Sequence, residues 1–136
     1  MTTIADLVEV YGLDVLDHLD RQVDVPLDTG PAPQGDVICV PAGLDPDAPV
    51  GGTSVPVGRD GVVVVSGVHD HTLVAAPGTA RWTPNRSGGL IVGVVECAEP
   101  VLLHHVEHGY RRLAAGRWVI RRQQEGSEER RRMVAD

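Results

Sequence analysis

The run Val62-Val63-Val64-Val65 constrains the fold of this chain more than any other stretch. β-Branched side chains are stiff at χ1 and crowd a helix, whereas a pleated strand accommodates them. Gly61 and Ser66-Gly67 bound the run, and a continuous apolar run between such breakers reads as a strand buried on both faces. Strand-like stretches recur at 36–41, 71–76, 80–83, 90–97, 100–105 and 117–122, and the chain's 16 Gly and 10 Pro supply the punctuation between them. Short strands interrupted in this way build a sandwich or a small barrel. The expected fold is a mainly β single domain, cupin-like or similar, preceded by an N-terminal α-helix. A length of 136 residues suits one domain. Phe is absent, so Val, Leu, Ile and the two Trp must fill the interior.

The flanks read differently from the strands. Residues 1–22 form a leading amphipathic segment, in which Ile4, Leu7, Val8, Tyr11, Val15, Leu16 and Leu19 recur at three- and four-residue steps. The spacing predicts a helix over 3–20, with Thr2 or Thr3 at its cap and Gly12 as its weak point. Its apolar face must pack either on its own domain or on a protein partner, including self-association as a homo-oligomer. Residues 23–35 hold three Pro and two Gly and read as a linker or extended arm. The β domain is expected over 36–122. A charged tail follows over 123–136, helical or disordered. Ala114-Ala115-Gly116 sits where a hairpin turn belongs.

Charge excludes some functions. The net charge is -7, which argues against general nucleic-acid binding. Residues 1–80 hold 12 acids against two Arg (net -10), while 81–136 hold ten Arg against seven acids (net +3). The two halves can therefore attract each other, within a chain or between copies. No apolar run reaches the ~18–20 residues of a membrane span, and no basic, then apolar, leader opens the chain. Cys39 and Cys97 each lie in an apolar stretch and are expected to be buried, reduced thiols of a cytoplasmic protein.

The chemistry concentrates in histidine. Five of the six His fall between 69 and 108. His69 and His71 are two apart, so on a strand both imidazoles project from one face. His104, His105, Glu107 and His108 follow. An extended segment would align His104 with His108, whereas a turn would bring His105 to His108. Neutral imidazoles with a carboxylate are a ligand set for a divalent transition metal, zinc foremost. The expected ligands are His69, His71, His105 and His108, with Glu107 as general base or further ligand. His104 is the alternative to His105.

Three blocks resemble a family of small, uncharacterised bacterial and phage-encoded β-rich proteins. They are Gln34-Gly35-Asp36-Val37, His69-Asp70-His71, and His105-Val106-Glu107-His108 continuing through Leu113, Gly116, Val119 and Arg121-Arg122-Gln123 to Val134-Ala135-Asp136. Val68 and Ala115 stand where that family usually shows Gly and Pro. This resemblance nominates His105 over His104 as the partner of His108. A second resemblance is to cupins, whose first motif carries HxH, as in His69 and His71, and whose second places a His beyond a Pro, as in Pro100 and His105. Ala75 and Ala76 occupy the region of the cupin glutamate. The cupin likeness implies a metal and oxygen or isomerase chemistry.

Arg111 and Arg121 belong to a basic zone beside the second histidine group and are candidates to orient a small anionic substrate. There is no phosphate-binding glycine loop and no nucleophile elbow. The expected function is a metal-binding β domain, as a metal-dependent hydrolase or cupin-like enzyme. The competing expectation is a non-enzymatic assembly or interaction module with a structural histidine cluster.

Overall fold

A computed structural model describes residues 1–123. Its one α-helix, α1 (Ile4–Tyr11), is followed by eleven strands: β1 (Leu27–Asp28), β2 (Ala32–Gln34), β3 (Val37–Pro41), β4 (Val55–Val57), β5 (Val62–Val65), β6 (His71–Val74), β7 (Ala80–Pro84), β8 (Ile91–Cys97), β9 (Val101–His105), β10 (Gly109–Leu113) and β11 (Gly116–Arg122). They form two sheets, a five-stranded one in the order β1-β10-β9-β6-β5 and a six-stranded one in the order β2-β3-β11-β8-β7-β4. The result is a sandwich with no closed barrel. All strand pairs are antiparallel except β1 with β10.

The topology is a folded meander. Four long runs, β4–β5, β6–β7, β8–β9 and β10–β11, each begin in one sheet and end in the other. Each bends at a breaker segment, such as Gly58–Gly61 or Ala75–Thr79. Gly61 takes φ 83 at the first corner, a value that glycine adopts without penalty. Ala114-Ala115 is another such corner: β10 and β11 lie in different sheets, so the expected hairpin there is a crossing. The strand between it and Gly109, β10, is not apparent from the sequence because Arg111-Arg112 interrupts its apolar pattern.

The two sheets enclose a core that includes Val57, Leu73, Trp82, Val95, Leu103, Leu113, Trp118 and Ile120. Burying each such large apolar side chain contributes roughly 1.5–3 kcal/mol. Cys39 and Cys97 join this core as free, buried thiols, and burial pushes the Cys39 thiol up to about 12. Val62–Val65 is a strand as expected, but an edge one, with Val63 47% exposed. A β-branched run marks a strand without showing how many faces are covered.

The arm over 23–35 is not a free linker. It supplies β1 to one sheet and β2 to the other. The leading helix is shorter than its periodicity predicts. Thr3 and Asp6 form a capping box at the start, and Gly12 ends the helix at φ 73. Ile4, Leu7, Val15 and Val25 pack on Val74, Leu102 and Tyr110, the outer face of the five-stranded sheet. Opposed charges meet within the chain as Arg121–Asp45 at 2.8 Å and Arg111–Asp28 at 3.7 Å. Among the described residues no helix is long and apolar enough to cross a membrane. Apart from Gln123, the tail lies outside the described residues.

Candidate functional site

The meander brings the two histidine groups together. β6 pairs with β5 on one side and with β9 on the other. The β5–β6 loop and the β9–β10 turn are therefore neighbours at one end of the five-stranded sheet. In register Thr72 faces His104 and Leu73 faces Leu103. Period-two alternation then points Leu73, Leu103, His71 and His105 inward, and Thr72 and His104 outward. From the opposite sheet the β2–β3 turn, Gln34-Gly35-Asp36, closes over the same end. A cleft of about 400 Å³ results, lined by Gly35, Asp36, Val65, Ser66, Gly67, Val68, His69, His71, His105, Glu107 and His108.

All four expected ligands line this cleft, as does Glu107, but not as the HxH spacing suggests. Only His71 is on β6; His69 precedes it in the loop and is half-buried. His104 lies outside the cleft, its Nε2 2.7 Å from the Asp14 carbonyl beneath the N-terminal segment. Three imidazoles form a tilted stack, with centroids 4.4 Å apart for His71–His105 and 4.6 Å for His105–His108. His69 meets His105 edge-on at 5.8 Å. Among the described residues no group of three or more His, Cys, Asp or Glu is arranged so that it could hold a metal ion.

Gln34 was not singled out as a site residue in the sequence, yet it organises the cleft. It is buried, and its Nε2 donates to the carbonyls of Leu103 (2.9 Å) and Gly109 (3.0 Å). Those two acceptors fix the amide's orientation, so Oε1 must accept from His71 Nδ1–H at 2.8 Å. In the uncharged ring the lone pair of His71 is then on Nε2, which lies 3.1 Å from Asp36 Oδ1; a protonated ring donates to that oxygen instead. Asp36 is exposed at the rim. Gln123 holds the turn beneath it, donating from Nε2 to the carbonyls of Gly35 and Val37 and from its backbone N–H to that of Asp36. The signal for Gln34 and Asp36 was present in the Gln34–Val37 block, but no spacing rule links that block to histidines some 35 residues away.

Burial sets the electrostatics. It holds His71 below the usual imidazole range, against the opposing pull of Asp36. It also drives His105 down to about 4, with help from His71, His108 and His69. Both rings are therefore uncharged near neutral pH, the form in which imidazole binds metal ions. Gly35 has φ 59, and a Cβ there would sit 2.8 Å from two atoms of the His108 ring, so the turn is shaped to let that ring lie against the backbone.

The expected anion-binding arginines are turned elsewhere. Arg111 donates to the Pro33 carbonyl at 2.7 Å and faces Asp28, and Arg121 is paired with the buried carboxylate of Asp45. Neither lines the cleft.

Fold and site define a small β-sandwich protein with a histidine-rich cleft at one end. Residues 33–123 match a family model described as a domain of unknown function (DUF8820), and the chain belongs to that family. The match begins one residue before Gln34 and ends at Gln123, so it includes every cleft residue named above. No curated protein and no solved structure matches the chain.

Proposed function

We propose that the cleft binds a divalent transition metal, zinc foremost, through His71 and Asp36, with His69 and His108 completing the set, and that it serves metal-assisted hydrolysis. The observation that carries this reading is the 3.1 Å approach of His71 Nε2 to Asp36 Oδ1; with the ring uncharged and its hydrogen on Nδ1, both atoms present lone pairs. Two acceptors at that distance repel unless a proton or a metal ion lies between or beside them. A tetrahedral zinc with bonds of about 2.0–2.2 Å separates its ligand atoms by about 3.3–3.6 Å, so the pair is within about 0.2–0.5 Å of a ligand edge. Gln34 acts as the group beyond the ligand that fixes its tautomer and aims its free nitrogen. His69 and His108 line the same cleft and would supply the remaining ligands.

An ion here would polarise a bound carbonyl and lower the pKa of a coordinated water. Glu107, exposed on the turn that lines the cleft, would then take up a proton. Elemental analysis of untagged protein tests the reading. Near-stoichiometric zinc that falls at least tenfold in H71A and D36N supports it. Protein that takes up no zinc on equilibration and shows unchanged stability in chelator overturns it, leaving His71–Asp36 as a proton-sharing acid–base pair.

A further inference from the structure

We infer that His105 is the hydrogen-bond donor of the cleft and not one of its ion ligands, and that it presents its N–H to the carbonyl oxygen of an uncharged acyl group, an amide or an ester. This inference deepens the hydrolytic reading above and rests on it.

The first part follows from the β9–β10 turn. The backbone N–H groups of Glu107 and His108 both point at His105 Nδ1, each at 3.2 Å. A ring nitrogen that accepts hydrogen bonds carries its lone pair there and no proton, so the hydrogen of the uncharged ring is on Nε2. An N–H nitrogen offers nothing to a metal. His71 is the reverse: its Nδ1 bears the hydrogen, given to Gln34, and the lone pair of the uncharged ring is on Nε2, 3.1 Å from Asp36 Oδ1. Two imidazoles 4.4 Å apart thus hold opposite tautomers, each fixed by groups outside the ring pair. One is prepared to coordinate and the other to donate. The hydrogen bonds of the His105 ring among the described residues are both at Nδ1, and the ring lines the cleft, so a bound molecule can take the Nε2 hydrogen.

The second part follows from charge. The charged side chains lining the cleft are Asp36 and Glu107, both acids. A divalent ion balances those two carboxylates and leaves nothing over. A carboxylate or phosphate ligand would meet them with no arginine in the cleft lining: Arg111 and Arg121 are engaged elsewhere, and Arg122, whose charge acts on His71, lies outside the lining. An uncharged acyl group brings an acceptor oxygen for His105 and no excess charge.

H105N tests both parts, since the Asn side-chain oxygen can keep the two turn N–H contacts while the Nε2–H is lost. The zinc-equilibrated full chain is compared with H105N and H71N. The expected zinc content of H105N equals that of the wild type, while H71N loses it. Long-range 15N–1H spectra of the wild type should show His105 protonated at Nε2 and His71 at Nδ1. Acetamide should shift the His105 Nε2–H signal and bind H105N about tenfold more weakly, and acetate should do neither. Zinc lost from H105N as fully as from H71N, or His105 protonated at Nδ1, overturns the donor assignment. A response to acetate and none to acetamide overturns the acyl assignment. If the wild type takes up no zinc, the metal reading fails alone, because the tautomers are still read in metal-free protein. Should H105N not fold, the wild-type spectra and titrations decide.

Discussion

Gln34 Oε1 accepts a hydrogen bond from His71 Nδ1 at 2.8 Å, across the interior from one sheet to the other. The contact ties a turn of the six-stranded sheet to the first residue of β6. Gln34 also satisfies the Leu103 and Gly109 carbonyls at the end of the β9–β10 hairpin. Replacing it with Leu leaves three buried polar partners without their bond. Each unsatisfied group costs about 1–3 kcal/mol, with water recovering part. Q34L is expected to lower unfolding stability by about 2–4 kcal/mol in urea titrations and to weaken zinc binding about 10–100-fold. Unchanged zinc affinity in a folded Q34L protein would show that Gln34 does not orient His71.

Gly35 is expected to be intolerant of a side chain for two reasons that act together. Its φ of 59 is unfavourable for Ala, and the new Cβ would lie 2.8 Å from the His108 ring. G35A should destabilise the fold by about 1–2 kcal/mol and displace His108. Chemical shifts of the His108 ring should move more than those of His104, which lies outside the cleft. Equal movement at both positions would indicate a general loosening of the sandwich.

How much of this was legible in the sequence depends on the range of the interaction. The seven strands expected from apolar stretches formed, because local β-propensity and interior demand coincide there. β1, β2, β4 and β10 are short or interrupted by Pro and Arg, and only their neighbours in the sheet make them strands. His69 and His71 suggested a ligand pair, yet the bend at Gly67–His69 takes His69 off the strand. The sequence left His104 and His105 as alternatives; the pairing of β6 with β9 sends His105 inward and His104 out. Gln34 and Asp36 stood in a block that carries the family resemblance, but nothing local tied that block to the histidines. Their role depends on a contact between sheets, which no periodicity encodes.

Arg121 and Asp45 make the most buried ion pair described, with the Asp45 side chain 2% exposed and that of Arg121 26%. Burial alone would push the Asp45 carboxyl up, but the hydrogen bonds from Arg121 and the Asp47 N–H outweigh it and hold it below the usual carboxylate range. R121M strands a buried carboxylate. Breaking a fully buried pair costs about 3–5 kcal/mol; with a quarter of Arg121 in water, about 2–3 kcal/mol is expected. The depressed Asp45 pKa contributes stability that is complete above the unfolded value of about 3.8 and is lost as pH falls through the folded value. The difference between wild type and R121M in urea midpoint should therefore narrow below about pH 4. A difference that stays constant down to pH 2 would assign the effect to packing of the arginine stem.

His104 supplies a second pH dependence, of the same sign but in a higher window. It is buried between the five-stranded sheet and the N-terminal segment, and its Nε2–H donates to the Asp14 carbonyl at 2.7 Å. Burial holds its pKa below the ordinary value of 6.5, although Asp14 opposes the shift. Below pH 6.5 the unfolded chain takes up a proton that the folded chain resists, so acidification shifts the equilibrium toward unfolding. H104Q can keep an amide donor near Nε2 while removing the titration. In chelator-treated protein, the wild type should lose more stability than H104Q between pH 7.5 and pH 5.5, measured as the fall in urea midpoint. Tyr110, whose hydroxyl donates to the Leu13 carbonyl at 2.5 Å, anchors the same segment without titrating in this range. Y110F should thus lower the midpoint by a similar amount at both pH values. Parallel slopes for wild type and H104Q would remove His104 as the source of the acid sensitivity.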